Sequence, residues 1–86
     1  ICIAPVMIAK ILQNMNRVGK LTGGFDEKIS VDIEAMGVNI EKVDARNIVV
    51  DKKNKIVSTP AYVEAKSIND VAIGIDKLVN KVLEMV

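Results

Sequence analysis

The sequence contains no histidine and no tryptophan, and only one cysteine, one phenylalanine and one tyrosine among its 86 residues. Without histidine, the chain cannot form a Cys–His or Ser–His catalytic pair or a His-based metal site by itself. The single cysteine, Cys2, excludes an internal disulfide and is typical of a reducing compartment. We therefore expect these residues to bind no metal and no cofactor.

The chain also lacks long apolar runs and a one-sided charge. No run approaches the length that a bilayer crossing requires, and no signal-peptide pattern is present. Twelve basic residues balance eleven acidic ones, and no basic stripe with interleaved aromatic residues appears. We therefore expect that neither a membrane nor a nucleic acid is a partner of this chain. A chain of this length forms at most one small domain, with a marginal core.

The composition is half hydrophobic and mostly aliphatic, which favours helices packed on a buried sheet. Hydrophobic periodicity and turn signals predict three helices, two short extended pieces and a β-hairpin. In chain order these are a helix at 5–15, a strand at 20–22, a helix capped by Asp26 and ending near Met36, an extended piece at 38–40, a hairpin pairing 48–50 with 55–57, and a helix at 67–85.

The last helix has the clearest pattern, since its apolar residues fall on one face. They are Ile68, Val71, Ala72, Ile75, Leu78, Val79, Val82, Leu83 and Val86. Gly74 in mid-helix costs about 1 kcal/mol relative to alanine, which indicates close contact with another element. Gly23 and Gly24 follow a predicted strand, but without a third glycine or a Lys-Ser/Thr pair they favour a tight turn over a phosphate cradle.

The first five residues, Ile1-Cys2-Ile3-Ala4-Pro5, have the pattern of a nucleophile elbow. In such an elbow, a reactive side chain lies on a sharp turn from a strand into a helix. The helix N-terminus favours a thiolate at Cys2, and the backbone N–H of Ile3 is the natural oxyanion donor. The alternative is that Cys2 is a small buried hydrophobic residue, as most lone cysteines in apolar runs are.

The strand that should deliver Cys2 to its turn is missing, because only one residue precedes it. We therefore expect residues 1–86 to be the C-terminal part of a single domain whose central strands come from a preceding stretch or a second polypeptide. The region around Met7, Ile8, Ile11 and Leu12, with the flanks of Cys2, should then expose an apolar patch in this chain alone.

Three blocks resemble one known family: 2–5, 47–62 and 74–79. Together and in this order they are similar to the ElbB family of isoprenoid-biosynthesis glyoxalase-like proteins, within the ThiJ/PfpI, class I glutamine amidotransferase-like superfamily. The resemblance covers essentially the whole chain. It implies a flavodoxin-like, three-layer α/β sandwich with a mainly parallel sheet, of which this chain is the C-terminal part from the elbow onward. It also implies a homodimer, in the cytoplasm or in a mitochondrion of a eukaryote.

The same resemblance implies a function. ElbB-like proteins are cysteine-dependent, glyoxalase-like lyases that convert glyoxal to glycolate without a cofactor. Cys2 would be the nucleophile that forms a hemithioacetal with the aldehyde, and Ile3 would donate its N–H to the oxyanion. An assisting glutamate comes from the N-terminal half of such proteins and has no counterpart here. Many superfamily members also carry a histidine just after the strand at 21–25, and its absence argues against protease or amidase chemistry.

Two other interpretations stay open. In the first, the protein is not an enzyme but a stress-response protein that senses oxidants when Cys2 is oxidised to a sulfinic acid. In the second, it is an α/β fragment whose cysteine is simply buried. Thr59 and Pro60 either approach the rim of the pocket or form a structural turn.

Overall fold

The computed structural model describes residues 1–86 and confirms the predicted order of elements. Three helices, four short strands and one 3-10 turn follow one another along the chain. They are α1 (Ala4–Asn14), β1 (Lys20–Leu21), α2 (Glu27–Ala35), β2 (Asn39–Ile40), β3 (Val49–Asp51), β4 (Ile56–Ser58), the 3-10 turn (Ala61–Val63) and α3 (Ile68–Met85). None of the helices combines the length and the apolar character that a membrane crossing needs.

The strands form two pairs of opposite type. β1 and β2 pair with each other in parallel and are connected by α2, with Leu21 opposite Ile40. β3 and β4 form the predicted antiparallel hairpin, with Val50 opposite Val57. The paired strands begin and end one residue later than predicted, because Lys55 adopts a left-handed φ of 58° and belongs to the turn.

Side-chain caps explain where α2 and α3 begin. The Asp26 carboxylate accepts a hydrogen bond of 3.0 Å from the backbone N–H of Ile29. The Ser67 hydroxyl accepts one of 3.2 Å from the N–H of Asp70. Each bond satisfies a donor that the first helical turn would otherwise leave unpaired. α1 instead has a proline, Pro5, in its first turn, where the missing N–H costs nothing.

The core lies where α1 and α2 cover β1. It consists of buried aliphatic side chains from all three elements and the segments beside them: Ala9, Leu12, Leu21, Ile33 and Val38. The expectation that Leu12 is exposed is therefore wrong, since only 4% of it is exposed. A Cβ added at Gly19 would come within 2.6 Å of the Leu12 side chain, so this glycine makes room for Leu12 in the core.

The rest of the expected apolar patch is confirmed. Met7 is 63% exposed and Ile11 is 47% exposed, whereas Ile8 is half-buried. A shallow apolar groove of about 770 Å³ lies beside the patch, lined by Ile1, Ile3, Ala4, Val6, Met7, Lys10 and Met36. The chain forms a slab only 15 Å thick, which holds two layers of secondary structure and leaves this apolar surface uncovered.

α3 is covered over its first half only. Val71 and Gly74 are its buried residues, while Val82 and Leu83 stay exposed. The prediction for Gly74 is confirmed, because a Cβ at this position would collide with the backbone carbonyl oxygen of Ala45. The same Cβ would lie 3.0 Å from the hydroxyl oxygen of Thr59, so α3 packs directly behind the segment that follows β4.

A buried carboxylate joins the hairpin to β1. Asp51 is 7% exposed and accepts hydrogen bonds from the N–H of Lys20 at 2.9 Å, the N–H of Asn54 at 3.1 Å and the Asn54 side-chain amide at 2.9 Å. Burial alone would raise the pKa of Asp51, but the hydrogen bonds from Asn54 and Lys20 outweigh it and lower that pKa. The ionised form is thus the stable one in the folded chain.

Asp51→Asn is expected to lower the free energy of unfolding at pH 7 by about 1.5 kcal/mol, since an amide N–H₂ then faces a donor. The contribution of the depressed pKa is present above the unfolded value near 3.8 and disappears as the pH falls through the lower folded pKa. Urea unfolding of the intact protein at several pH values measures both effects. Asp32→Asn, on the exposed face of α2, is the control, and equal effects of the two substitutions would contradict the assignment.

Candidate nucleophile elbow

Cys2 lies on the tight turn that leads into α1. Its φ is 62°, in the left-handed region that residues other than glycine rarely adopt. Ile3 follows with a φ of −91° and a ψ of −13°, and the N–H of Ala4 donates to the carbonyl of Ile1 at 3.1 Å. With this closing hydrogen bond, residues 1–4 form a β-turn whose first central residue has a positive φ. Such strain costs about 1–3 kcal/mol and is concentrated at functional sites.

A contact distant in sequence fixes this turn. The backbone N–H of Cys2 donates a hydrogen bond of 3.0 Å to the carbonyl of Thr59. Thr59 is fully buried, and its own hydroxyl donates to the carbonyl of Asn47 at 2.8 Å. Of the two roles left open for Thr59, the structure shows the structural one, with its carbonyl rather than its side chain reaching the site. We name residues 1–4 the elbow.

The thiol and the oxyanion donor predicted from the sequence lie side by side on the elbow. Cys2 is a free, half-buried cysteine, so it is not sealed in the core of this chain. The backbone N–H of Ile3 has no acceptor within the chain and stays available to an incoming oxygen. A nucleophile next to an unpaired N–H donor is the minimum arrangement for addition to a carbonyl carbon.

A second loop is tied to the same segment, residues 58 and 59, that holds the elbow. The N–H of Thr22, just after β1, donates to the Ser58 hydroxyl at 3.2 Å, and Ser58 precedes the residue that holds Cys2. Beyond Thr22, Gly24 has a φ of 69°, and its N–H donates to the Thr22 hydroxyl at 3.0 Å. The predicted tight turn is therefore confirmed. We name residues 23–25 the Gly-Gly loop.

Glu64, just after the 3-10 turn, binds the far end of this loop. Its carboxylate accepts a hydrogen bond of 2.6 Å from the N–H of Phe25, and a Cβ on Gly24 would collide with its side chain. The loop N–H groups at Gly24 and Phe25 therefore have partners inside the protein rather than facing a phosphate. Sequence reasoning missed Ser58 and Glu64. The two hydroxyl residues before Pro60 were the only local signal of a polar junction there.

The chain brings no acid or base to Cys2 by a hydrogen bond, and no three metal-ligating acidic, cysteine or histidine side chains lie together. The elbow thus presents a half-buried thiol beside an unpaired backbone N–H.

Known proteins are similar to this chain in sequence or in structure. The chain is 31% identical over 93 residues to a human protein, glutamine amidotransferase-like class 1 domain-containing protein 3, mitochondrial. It is 29% identical over 93 residues to the rat mitochondrial ES1 protein homolog. Its structure matches a crystal structure of an isoprenoid biosynthesis protein with an amidotransferase-like domain from Ehrlichia chaffeensis, with a TM-score of 0.84 and 26% sequence identity. No protein-family model matches the chain.

These matches confirm the predicted fold class, a flavodoxin-like α/β arrangement of which the chain represents a part. The comparisons thus confirm the predicted resemblance to the class I glutamine amidotransferase-like superfamily. Within it, the similarity is to the isoprenoid-biosynthesis proteins that the sequence blocks pointed to. The matches cover 98% of this chain but only 33% and 34% of the human and rat relatives, and 99% of this chain but 37% of the Ehrlichia protein.

Proposed function

We propose that residues 1–86 carry the nucleophile elbow of a cysteine-dependent, glyoxalase-type enzyme that converts a small aldehyde such as glyoxal to its hydroxy acid, glycolate. The observation that carries this proposal is the left-handed Cys2 next to the unpaired N–H of Ile3. A strained turn that presents a thiol beside an oxyanion donor suits attack on a carbonyl carbon. The resemblance to glyoxalase-like proteins supplies the substrate class.

The reaction balances with water as the only co-reactant. The Cys2 sulfur adds to one aldehyde carbon of glyoxal to give a hemithioacetal, whose oxyanion the N–H of Ile3 stabilises. Hydride transfer to the second aldehyde carbon then gives a hydroxymethyl group and oxidises the first carbon to a thioester. Water cleaves that thioester, which releases glycolate and restores the thiol. The required proton acceptor is a group of the wider protein, in line with the glutamate that the resemblance places in the N-terminal half.

The proposal includes the setting of the site. Residues 1–86 form the C-terminal part of one domain, and its remaining part covers the apolar surface at Met7 and Ile11. A second copy of the protein and the aldehyde are the other proposed partners. The human and rat relatives are named as mitochondrial proteins, which supports a mitochondrial location in a eukaryotic cell. The cytoplasmic location proposed for any other cell rests on the resemblance alone.

The test is product formation by the intact protein. With ¹³C-labelled glyoxal and no added thiol or cofactor, NMR should detect labelled glycolate in proportion to enzyme and time. A rate equal to that of heat-denatured protein would contradict the proposal. If, in addition, mild peroxide rapidly converted Cys2 to a sulfinic acid detectable by mass spectrometry, the redox-sensing alternative would take its place.

A further inference from the structure

We propose that Glu64 is a positioning residue for the Cys2 site, because its carboxylate fixes the Gly-Gly loop beside the elbow. This inference rests on the proposed function in one respect, since it assigns Glu64 to the same site. Glu64 itself is bound to the loop and not to the thiol, so it is not a catalytic residue.

The first step of the argument is that the elbow and the Gly-Gly loop lie against one short segment. Ser58 and Thr59 are consecutive residues, and both are almost completely buried. Thr59 accepts the N–H of Cys2 at 3.0 Å, and Ser58 accepts the N–H of Thr22 at 3.2 Å. The loop that starts after Thr22 is thus tied, through Ser58 and Thr59, to the residue that holds Cys2, and we infer that it forms a wall of the Cys2 site.

The second step is that Glu64 supplies the contacts that determine the shape of this wall. Its bond to the N–H of Phe25 is 2.6 Å long and charge-assisted. Its side chain also fills the space above Gly24, where only a glycine fits. Gly24 is in the left-handed region and donates its N–H to the Thr22 hydroxyl within the loop. The Glu64 carboxylate ties the N–H of Phe25, at the far end of the loop, to the segment that follows the 3-10 turn.

The third step is that Glu64 is itself anchored to the segment that holds the elbow. Its backbone N–H donates to the carbonyl of Ala61 at 3.1 Å in the 3-10 turn. Ala61 is fully buried and has a left-handed φ of 47°. Residues 59–64 therefore connect the carbonyl that holds Cys2 to the carboxylate that holds Phe25. Small displacements of a wall next to a reacting group lower rates by about 10-fold to 100-fold.

Two variants of the intact protein separate the effect of the length of the side chain at position 64 from the effect of its charge. Glu64→Gln keeps the reach and the acceptor oxygen, whereas Glu64→Asp keeps the charge and shortens the side chain beyond reach of Phe25. We expect Glu64→Asp to lower kcat/KM for glyoxal about tenfold, mainly through kcat, and Glu64→Gln to stay within about threefold of the parent. Glu34→Asp, at an exposed site in α2, is the matched control.

Two readouts do not depend on glyoxal turnover. In Glu64→Asp, the amide of Phe25 should exchange with solvent at least about tenfold faster, and the rate at which iodoacetamide alkylates Cys2 should change about threefold or more. Glu64→Gln and Glu34→Asp should leave both rates near those of the parent. If the parent lacked glyoxal turnover, the proposed function would fail, and these two rates would still decide the role of Glu64. Unchanged alkylation in Glu64→Asp, with or without faster exchange, would overturn the inference.

Discussion

Replacing Cys2 with serine is expected to lower the rate of glycolate formation by about 100-fold or more, because a hydroxyl is far less ionised and less nucleophilic than a thiol near neutral pH. Serine is nearly isosteric with cysteine and leaves the N–H bond to Thr59 intact. The loss should therefore appear in kcat, with little change in the free energy of unfolding. Steady-state kinetics and urea unfolding of the intact protein measure the two quantities.

Cys2→Gly is the matched control for backbone strain. Glycine adopts a positive φ readily, so this variant should be as inactive as Cys2→Ser and more stable than Cys2→Ala, which keeps the left-handed strain at φ 62°. Activity that survives in all three variants would contradict the role of the sulfur. Equal stability of the glycine and alanine variants would contradict the strained turn.

Gly74→Ala is expected to destabilise the protein by about 2 kcal/mol, although alanine is the better helix former by about 1 kcal/mol. The added Cβ would collide with the backbone carbonyl of Ala45, which cannot move as a flexible side chain does, and would also press on Thr59. Because Thr59 holds the N–H of Cys2, kcat should fall along with stability. Urea unfolding and glyoxal kinetics of the intact protein test both effects.

The control for Gly74 is the reverse substitution on the exposed face of the same helix. Ala72 is exposed, so Ala72→Gly should cost about 1 kcal/mol from helix propensity alone and leave kcat unchanged. If Gly74→Ala stabilised the protein instead, propensity would outweigh the close approach, and the packing of α3 against Ala45 would be refuted.

Local signals predicted most of the fold. The 3.6-residue periodicity and Ser67 placed α3 within one residue of its start, and the hairpin shifted only because Lys55 takes a left-handed conformation. Leu12 was misassigned for a different reason. Its burial depends on the empty space at Gly19, and periodicity does not reveal which apolar positions face an available cavity.

At the candidate site, only the local turn could be predicted from the sequence. Cys2 and Ile3 are neighbours, and their turn has a recognisable pattern with the helix that follows. The contacts around them involve backbone groups, such as the carbonyl of Thr59, which any residue type would supply. Glu64 and Phe25 lie 39 residues apart, and no spacing rule connects them. Residues that hold a site through backbone hydrogen bonds therefore leave little signal in a single sequence.

The central claim is that the sulfur of Cys2 attacks the aldehyde, and its most direct test is to capture the bond that this attack forms. The intact protein would be mixed with ¹³C-glyoxal, quenched in acid within the first turnover and digested for mass spectrometry. The account predicts that the peptide containing Cys2 gains the mass of one labelled glyoxal, that the gain decays as glycolate appears, and that Cys2→Ser shows none. Glycolate formation without any labelled Cys2 peptide, or a label on lysine and arginine alone, would contradict it.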